Sequence, residues 1–548
     1  MQPDLPWLIP CPARGRLAVA AGLLGAVALA GLLATSAALP MVWDEGNAIL
    51  RAEGIARWAA SWFQADQPHP LSAEVVAADW RYTTQVEGHP AGYGILIAAG
   101  RALSGCWLAP LDSARFGPMA LFALASAALF YRLARQWSIA AGLVAWAALL
   151  LMPRMFSHAH FASFDGPVTA AWLLAWAAFA PARRRAAWAV VWGLCLGLGL
   201  SCKFTGWIAP LVYLVWAVGY GDRPGLKALA VGLPVSLATF WALNPPLWHA
   251  PLSGLEQFFD LNLHRGANPG LNISTQFLGQ MYNLDFPLPW YNTLFWTAVA
   301  VPSGILLLAA LGLGVSLRRA RSDPQGLLVA ALWAALVLLR AIPGAPVHDG
   351  IRLFLPSFAM LAALAGLGAH CALEILPRKR LTAALTALLL LGNATSLVWY
   401  WPQGLSYYNL LIGGLPGATA LGMEPTYYWD GLDREALAWL RQNTTAGEQL
   451  AFGAHSPENL QLMHQWGLLP CAAFVAPATT APALPAARWY VLQRRPSGLR
   501  DADQRLIQQA RPVYQKFIRR RGWGAWRLDV PLVEIYRYAD YRDAAAAN

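Results

Sequence analysis

The sequence predicts an α-helical polytopic membrane protein of about eleven transmembrane helices with a small α/β domain outside the membrane. Three observations carry this. Hydrophobic residues make up 57% of the 548 and charged residues 13%, with a mean hydropathy of +0.41, a composition at odds with an ordinary soluble domain. Apolar runs long enough to cross a bilayer recur along residues 17–401. Beyond residue 401 the pattern changes to short alternating and amphipathic segments.

Taken in order, the spans are expected at roughly 17–39, 114–134, 138–155, 166–182, 186–202, 204–220, 226–244, 293–316, 325–343, 352–374 and 381–401. The first follows Arg14 and Arg16 and ends in small residues, like a signal peptide. It is too long for a typical cleaved segment and reads as an uncleaved anchor. Asn47–Phe63 mixes Ile49, Leu50, Trp58 and Trp62 with charges, the pattern of a helix lying on the membrane surface. Tyr93–Leu108 is short and interrupted by Arg101, which suggests an interfacial or re-entrant helix. Residues 245–292, rich in Asn, Pro, Trp and Phe, read as a structured interfacial loop. After the last span, Asp433–Asn443 and Asp501–Phe517 look helical. Gln449–Gly453, Ala472–Val475, Arg488–Gln493 and Trp526–Tyr538 look like strands, and the Ala-rich tail after Asp543 looks disordered. The expected domains are therefore a membrane unit, 1–401, and an extracytoplasmic α/β unit, 402–548.

Charge sets the orientation. Arg183-Arg184-Arg185, Arg223 with Lys227, Arg318-Arg319 with Arg321, and Arg378-Lys379-Arg380 alternate with the spans so that all fall on one side. Basic loops mark the cytoplasmic face. The net charge of +11 sits in these loops, so topology accounts for it and nucleic-acid binding is not expected. An odd number of spans places residues 402–548 outside. The six cysteines show no C-x-x-C pair or zinc-like spacing, which disfavours a disulfide framework or metal cluster.

The acidic and histidine motifs take the opposite side. Asp44-Glu45 follows the first span; a loop carboxylate is usually just solvated, yet a paired acid at a membrane edge is costly and suits a general base or a cation ligand. Asp165 opens the fourth span ahead of Gly166-Pro167, where it serves equally as a helix cap or as a functional acid. His89, in Glu87-Gly88-His89-Pro90, is a phosphate contact or a capping or interface histidine. Arg352 ends His348-Asp349-Gly350-Ile351-Arg352 and starts an apolar helix on the non-basic side. Its fork fits an anionic headgroup, against the alternatives of a snorkelling arginine or an ion pair with Asp349. Lys203, at the end of the fifth span, is a weaker candidate of the same kind. His158, His160, His348 and Asp349 are candidates for acceptor contact or for a metal, with polar filler the plainer reading of the loop histidines. A divalent cation stays open. Ser406-Tyr407-Tyr408-Asn409 and Tyr427-Tyr428-Trp429 suit an interfacial aromatic belt or a sugar-stacking face. No P-loop or G-x-G-x-x-G motif is present for a soluble nucleotide donor.

Across residues 17–401 these motifs, in this order, resemble the C-type (GT-C) integral-membrane glycosyltransferases. The likeness is strongest to the bacterial branch of the protein mannosyltransferase and aminoarabinose-to-lipid-A transferase family. It rests on Asp44-Glu45 after the first span, on His89-Pro90 beside the family's K/H-P-P-L element, and on Ser163-Phe164-Asp165-Gly166-Pro167 beside S-L-D-x-P. His348-Asp349-Gly350-Ile351-Arg352-Leu353-Phe354 with Leu405-Ser406-Tyr407-Tyr408-Asn409 looks like a bacterial subgroup signature. The second element departs, reading His89-Pro90-Ala91-Gly92. The resemblance implies a GT-C-like fold and a polyprenyl-phosphate sugar as donor, with a lipid, glycan or protein as acceptor. It puts the catalytic role on Asp44 and the donor-phosphate contacts on His89 and Arg352; the residues themselves add Glu45 and Asp165 as further catalytic candidates and Lys203 as a further phosphate contact. It also implies a bacterial inner membrane with the site on the extracytoplasmic side. A lipid or glycan transporter or flippase is the alternative, but transporters put polar groups near the bilayer midplane in repeated halves, and here they lie at span ends. A non-catalytic lipid-binding scaffold is a third reading, disfavoured by the retained acidic pair.

Overall fold

The computed structural model describes residues 14–64, 66, 68–80, 89–264, 272–476, 487–519 and 527–547. Helices occupy all eleven segments expected to span. Five are long and apolar enough to cross a bilayer: Arg14–Ser36, Pro110–Gln136, Arg223–Ala242, Arg352–Ile375 and Lys379–Tyr400. Five others are apolar but shorter. Leu211, Val215, Leu307, Leu388 and Val398 stand exposed on the outer helices. That is the expected surface where the solvent is lipid. The chain is an integral, multi-pass membrane protein.

Two helices are sheathed by the others. Asp165–Ala182 and Leu355–Ile375 are buried on nearly every side, as an all-round apolar helix must be. Asp165–Ala182 packs against Ala186–Cys202 and Pro110–Gln136, and Leu355–Ile375 packs against Ser303–Arg318 and Ile139–Leu151. Glycines permit the closest crossing: a methyl group on Gly312 would overlap the Leu364 carbonyl, and one on Gly368 the Leu308 carbonyl.

The expected span 293–316 is broken. Asn292–Ala300 and Ser303–Arg318 flank an extended Val301 and Pro302, because proline cannot continue the ladder. Asn409 compensates, its Nδ2 donating to the carbonyls of Ala298 (2.6 Å) and Val301 (2.8 Å). The short helix expected from Tyr93 is Gly92–Ser104, and the surface helix is Glu45–Ser61, which packs against it. Within 245–292 lie a helix, Pro251–Leu263, and a hairpin of β1 (Thr275–Phe277) and β2 (Gln280–Tyr282).

The C-terminal region holds a five-stranded sheet of β3 (Gln449–Phe452), β4 (Ala473–Val475), β5 (Ala487–Gln493), β6 (Tyr514–Arg519) and β7 (Arg527–Arg537), in the order β4-β3-β5-β7-β6. The first three are parallel, while β7 runs antiparallel to β5 and β6. The helix expected over Asp501–Phe517 stops at Gln509 and the chain re-enters the sheet as β6. Pro512 is the reason, since it disfavours helix at the residue before it. The tail is also different from expectation: Tyr538–Ala546 is helical, with Tyr538, Tyr541 and Ala544 buried. Cys106, Cys195, Cys202, Cys371 and Cys471 are all free; Cys11 lies outside the described residues.

Candidate functional site

The two sheathed helices deliver charge to the same end of the bundle. Asp165 is the first residue of one, and Arg352 sits in the 3-10 turn Arg352–Phe354 that leads into the other. The turn is set by Asp349 and Gly350, both left-handed at φ 61° and 57°, a conformation that aspartate and glycine tolerate best. Asp44 occupies the N-cap position of Glu45–Ser61, yet its side chain makes no capping bond. Asp165 is not the cap but the first helical residue, after the N-cap Phe164, and its carboxylate faces Lys203 and Arg352. Both carboxylates turn to cations instead.

Arg352 is the hub. Its Nη1 donates to Asp44 Oδ2, its Nη2 pairs with Asp349 Oδ2 at 2.8 Å, and its Nε lies 3.8 Å from Asp165 Oδ2. Lys203 Nζ donates to Asp165 Oδ1 at 2.5 Å. Tyr428 donates its hydroxyl to Asp44 Oδ2 at 2.8 Å, and burial pushes that phenol well above its ordinary pKa, so it remains a donor. The aromatic floor is shared: the Arg352 guanidinium lies 4.5 Å from the Tyr428 ring centre and 5.5 Å from that of Phe164. Lys203 Nζ is 4.8 Å from the Phe164 ring centre. His89 joins through a further contact of Phe164, ring centres 4.3 Å apart. Glu87 and Gly88 of its motif lie outside the described residues. Of the two acids, Asp44 keeps 22% side-chain exposure and Asp165 keeps none.

Behind this layer, Asp349 Oδ1 pairs with Arg495 Nη1 at 3.1 Å and Arg495 Nε with Glu424 Oε2 at 3.4 Å. Arg495 lies beyond β5, so the C-terminal region holds the Asp349 turn in place. It also holds the Asp44 turn. Asn459 accepts from Gly46 N at 2.8 Å and donates to the Val42 carbonyl at 2.9 Å, while Trp43 packs on Trp429 with ring centres 4.1 Å apart.

Glu45 points away from Asp44. It is fully buried against Arg115, bonded at 2.8 and 2.7 Å, and also accepts from Val42 N and Ala162 N. Arg115 in turn donates to the carbonyls of Ser36, Leu39 and Pro40. The pair fastens the end of the first helix to the loop before Asp165 and so sets where Asp44 stands. His160 bonds Thr35 and the Phe156 carbonyl, which occupies both ring nitrogens. His158 is buried facing Tyr428, ring centres 5.9 Å apart. Burial, then the nearby Arg352, Lys203 and Arg154, drive its pKa well down, so it is neutral. His348 is buried beside the Asp349 turn. Among the described residues no group of three or more His, Cys, Asp and Glu side chains is gathered to hold a metal ion.

Several partners are not singled out by sequence reasoning. Tyr428 stands in a run that reads as belt or sugar platform. Arg115, Arg495, Glu424 and Asn459 carry no local signal, since their partners lie tens to hundreds of residues away. Arg154 is buried among Trp296, Tyr408 and Tyr427, its guanidinium 4.5 Å from the Tyr408 ring centre, and donates to the Tyr407 carbonyl at 2.8 Å.

No protein-family model matches the chain, and no curated protein sequence matches it. Among solved structures, it is similar to ArnT from Cupriavidus metallidurans. The apo form has 16% identity and a TM-score of 0.49, covering 97% of this chain and 100% of that one. The form bound to undecaprenyl phosphate has 15% identity and a TM-score of 0.47, covering 96% and 98%. The archaeal oligosaccharyltransferase AglB from Archaeoglobus fulgidus, in complex with an inhibitory peptide and a dolichol-phosphate, has 12% identity and a TM-score of 0.43, covering 88% of this chain and 69% of that one.

Proposed function

We propose that the chain is a GT-C-type glycosyltransferase that moves a sugar from a polyprenyl-phosphate donor to a lipid, glycan or protein acceptor at the extracytoplasmic membrane face. The observation that carries the reading is the pairing of one accessible carboxylate, Asp44, with a buried cationic fork, Arg352, at one end of an apolar bundle. A donor with a lipid tail reaches such a site sideways from the bilayer, which gives a transferase reason to be a membrane protein.

In the transfer step an acceptor oxygen or nitrogen forms a bond to the anomeric carbon of the donor as the bond from that carbon to the phosphate oxygen breaks. Asp44 takes the acceptor's proton, and polyprenyl phosphate departs with the electron pair. Arg352 and Lys203 face the charge that collects on the leaving phosphate. Before donor arrives, Asp44 Oδ2 is occupied by Arg352 and Tyr428. A phosphate oxygen that takes the Arg352 Nη1 position releases Asp44 to accept a proton, so donor binding prepares the base. Asp165 holds Lys203 in place, and Glu45 positions Asp44 through Arg115. The charged groups sit at helix ends rather than at mid-bundle, which supports transfer over transport.

The reading is tested with the purified protein and a panel of labelled polyprenyl-phosphate sugars in the presence of membrane extract. Label should move to acceptor with at least one donor and fail to do so in Asp44→Asn. No transfer from any donor, with lipid carried across vesicles instead, would sustain the transporter.

A further inference from the structure

The end of the bundle opposite the carboxylate cluster carries a second built feature. Asp165 and Arg183 bracket one helix of 18 residues, about 27 Å long at 1.5 Å per residue. At the far end a cavity of about 800 Å³ opens between that helix, Pro110–Gln136 and Ala186–Cys202. Its mouth is lined by Arg14, Arg132, Arg135, Arg183, Arg184 and Arg185, with no carboxylate in the lining. Its walls are apolar: Leu174, Ala177, Val191 and Cys195 line it, Val191 on the exposed side and the other three half-buried, and Leu174 stands nine residues, about 13.5 Å, from Arg183 along the helix.

The pairings at this mouth leave donors over. Arg183 is paired with Asp222 at 2.7 Å and Arg132 donates to Gln325 at 3.1 Å. Arg132 Nε and Gln325 Nε2 are buried donors with no hydrogen-bond partner among the described residues, beside one acceptor in the same state, Gln136 Oε1, and Arg184 and Arg185 are exposed. Buried donors at a basic mouth call for an acceptor. A long apolar slot directly above calls for a hydrocarbon chain. Basic pockets between membrane helices suit anionic lipid headgroups. We infer that this cavity is a binding site for one anionic phospholipid, its phosphate among the arginines and an acyl chain along the Leu174–Cys195 walls, separate from the proposed donor site.

The test is native mass spectrometry of the full chain released from mixed micelles containing phosphatidylglycerol and phosphatidylcholine with identical acyl chains. One phosphatidylglycerol should be retained in preference to phosphatidylcholine, and excess inorganic phosphate should not displace it. Arg184→Gln with Arg185→Gln, both exposed positions, should cut that preference on the order of tenfold or more, from the loss of two attractive charges. Ala177→Trp should expel lipid of either headgroup by filling the slot. Thermal unfolding of each variant checks its fold, and the exposed arginine pair decides the matter if the tryptophan variant is unstable. Equal retention of both lipids would mean that the arginines are solvated loop charge only. Displacement by inorganic phosphate, with Ala177→Trp inert, would mean a simple anion site. Either outcome overturns the assignment.

Discussion

Arg352 and Asp44 meet across 308 positions of sequence, one at the mouth of a sheathed helix and the other at the N-cap of Glu45–Ser61. The same guanidinium also holds Asp349 and faces Asp165, so its planar fork serves three carboxylates at once. Arg352→Lys keeps the charge and loses the fork. Loss of one charge-assisted phosphate contact costs about 1.5–3 kcal/mol, roughly tenfold to a hundredfold. That loss should appear as a raised donor requirement in a titration in detergent. His89→Ala tests the neighbouring position through the same measurement. Unchanged donor dependence in both variants, with normal folding, would remove them as phosphate ligands.

Glu45 should behave as a structural residue. Its carboxylate is fully buried with Arg115, and breaking one partner of such a pair typically costs about 3–5 kcal/mol. Glu45→Gln should therefore lower the thermal unfolding midpoint clearly, and Arg115→Met should do the same. A Glu45→Gln protein as stable as the parent but without turnover would instead give Glu45 a direct chemical role.

Gly46 has no room for a side chain, because a methyl group there would overlap Asn459. Gly46→Ala must push the C-terminal region off the Asp44 turn or distort the turn, at a cost of about 1–3 kcal/mol. Sugar transfer should fall while donor binding at Arg352 changes little. Equal loss of both would show that the substitution disturbs the whole bundle.

Much of the site is legible in the chain alone, for a physical reason. In an apolar chain a charge at a span end is costly, so Asp44, Asp165, Lys203 and Arg352 stand out, and all four meet. Helix positions are legible from hydropathy, apart from two breaks: one at Pro302, which Asn409 repairs, and one at Met152, where Ile139–Leu151 gives way to Pro153–His158. The supporting shell is not. Arg115 sits inside an apolar helix and looks like one more interfacial charge, and Tyr428 looks like one more belt aromatic. Asn459 belongs to a region that reads as a separate domain, although it bonds both sides of the Asp44 turn. Contacts of this kind depend on which helix lies beside which, information that periodicity does not contain. The over-extended helix at Asp501–Phe517 is a different failure: the signal, Pro512, is present and outweighed by pattern.

His455 gives the C-terminal region a pH response. It is buried against Phe452, and burial lowers its pKa from 6.5 to about 4. The folded state therefore binds its proton less readily than the unfolded state. Stability is full above about pH 6.5 and is lost as pH falls toward about 4, by at most about 3 kcal/mol. His455→Gln should flatten this part of the profile when thermal unfolding of the full chain is followed from neutral to acid pH. An unchanged slope would assign the loss to other groups.

The most direct measurement is sugar transfer by Asp44→Asn beside the parent at matched expression, with donor binding measured on the same preparations. Asparagine keeps the size and can still accept from Tyr428 and Arg352, but it cannot take the acceptor's proton. General base catalysis contributes about a hundredfold to ten-thousandfold, so turnover should fall by that factor while the protein still inserts and binds donor. Near-normal turnover by Asp44→Asn would contradict the account.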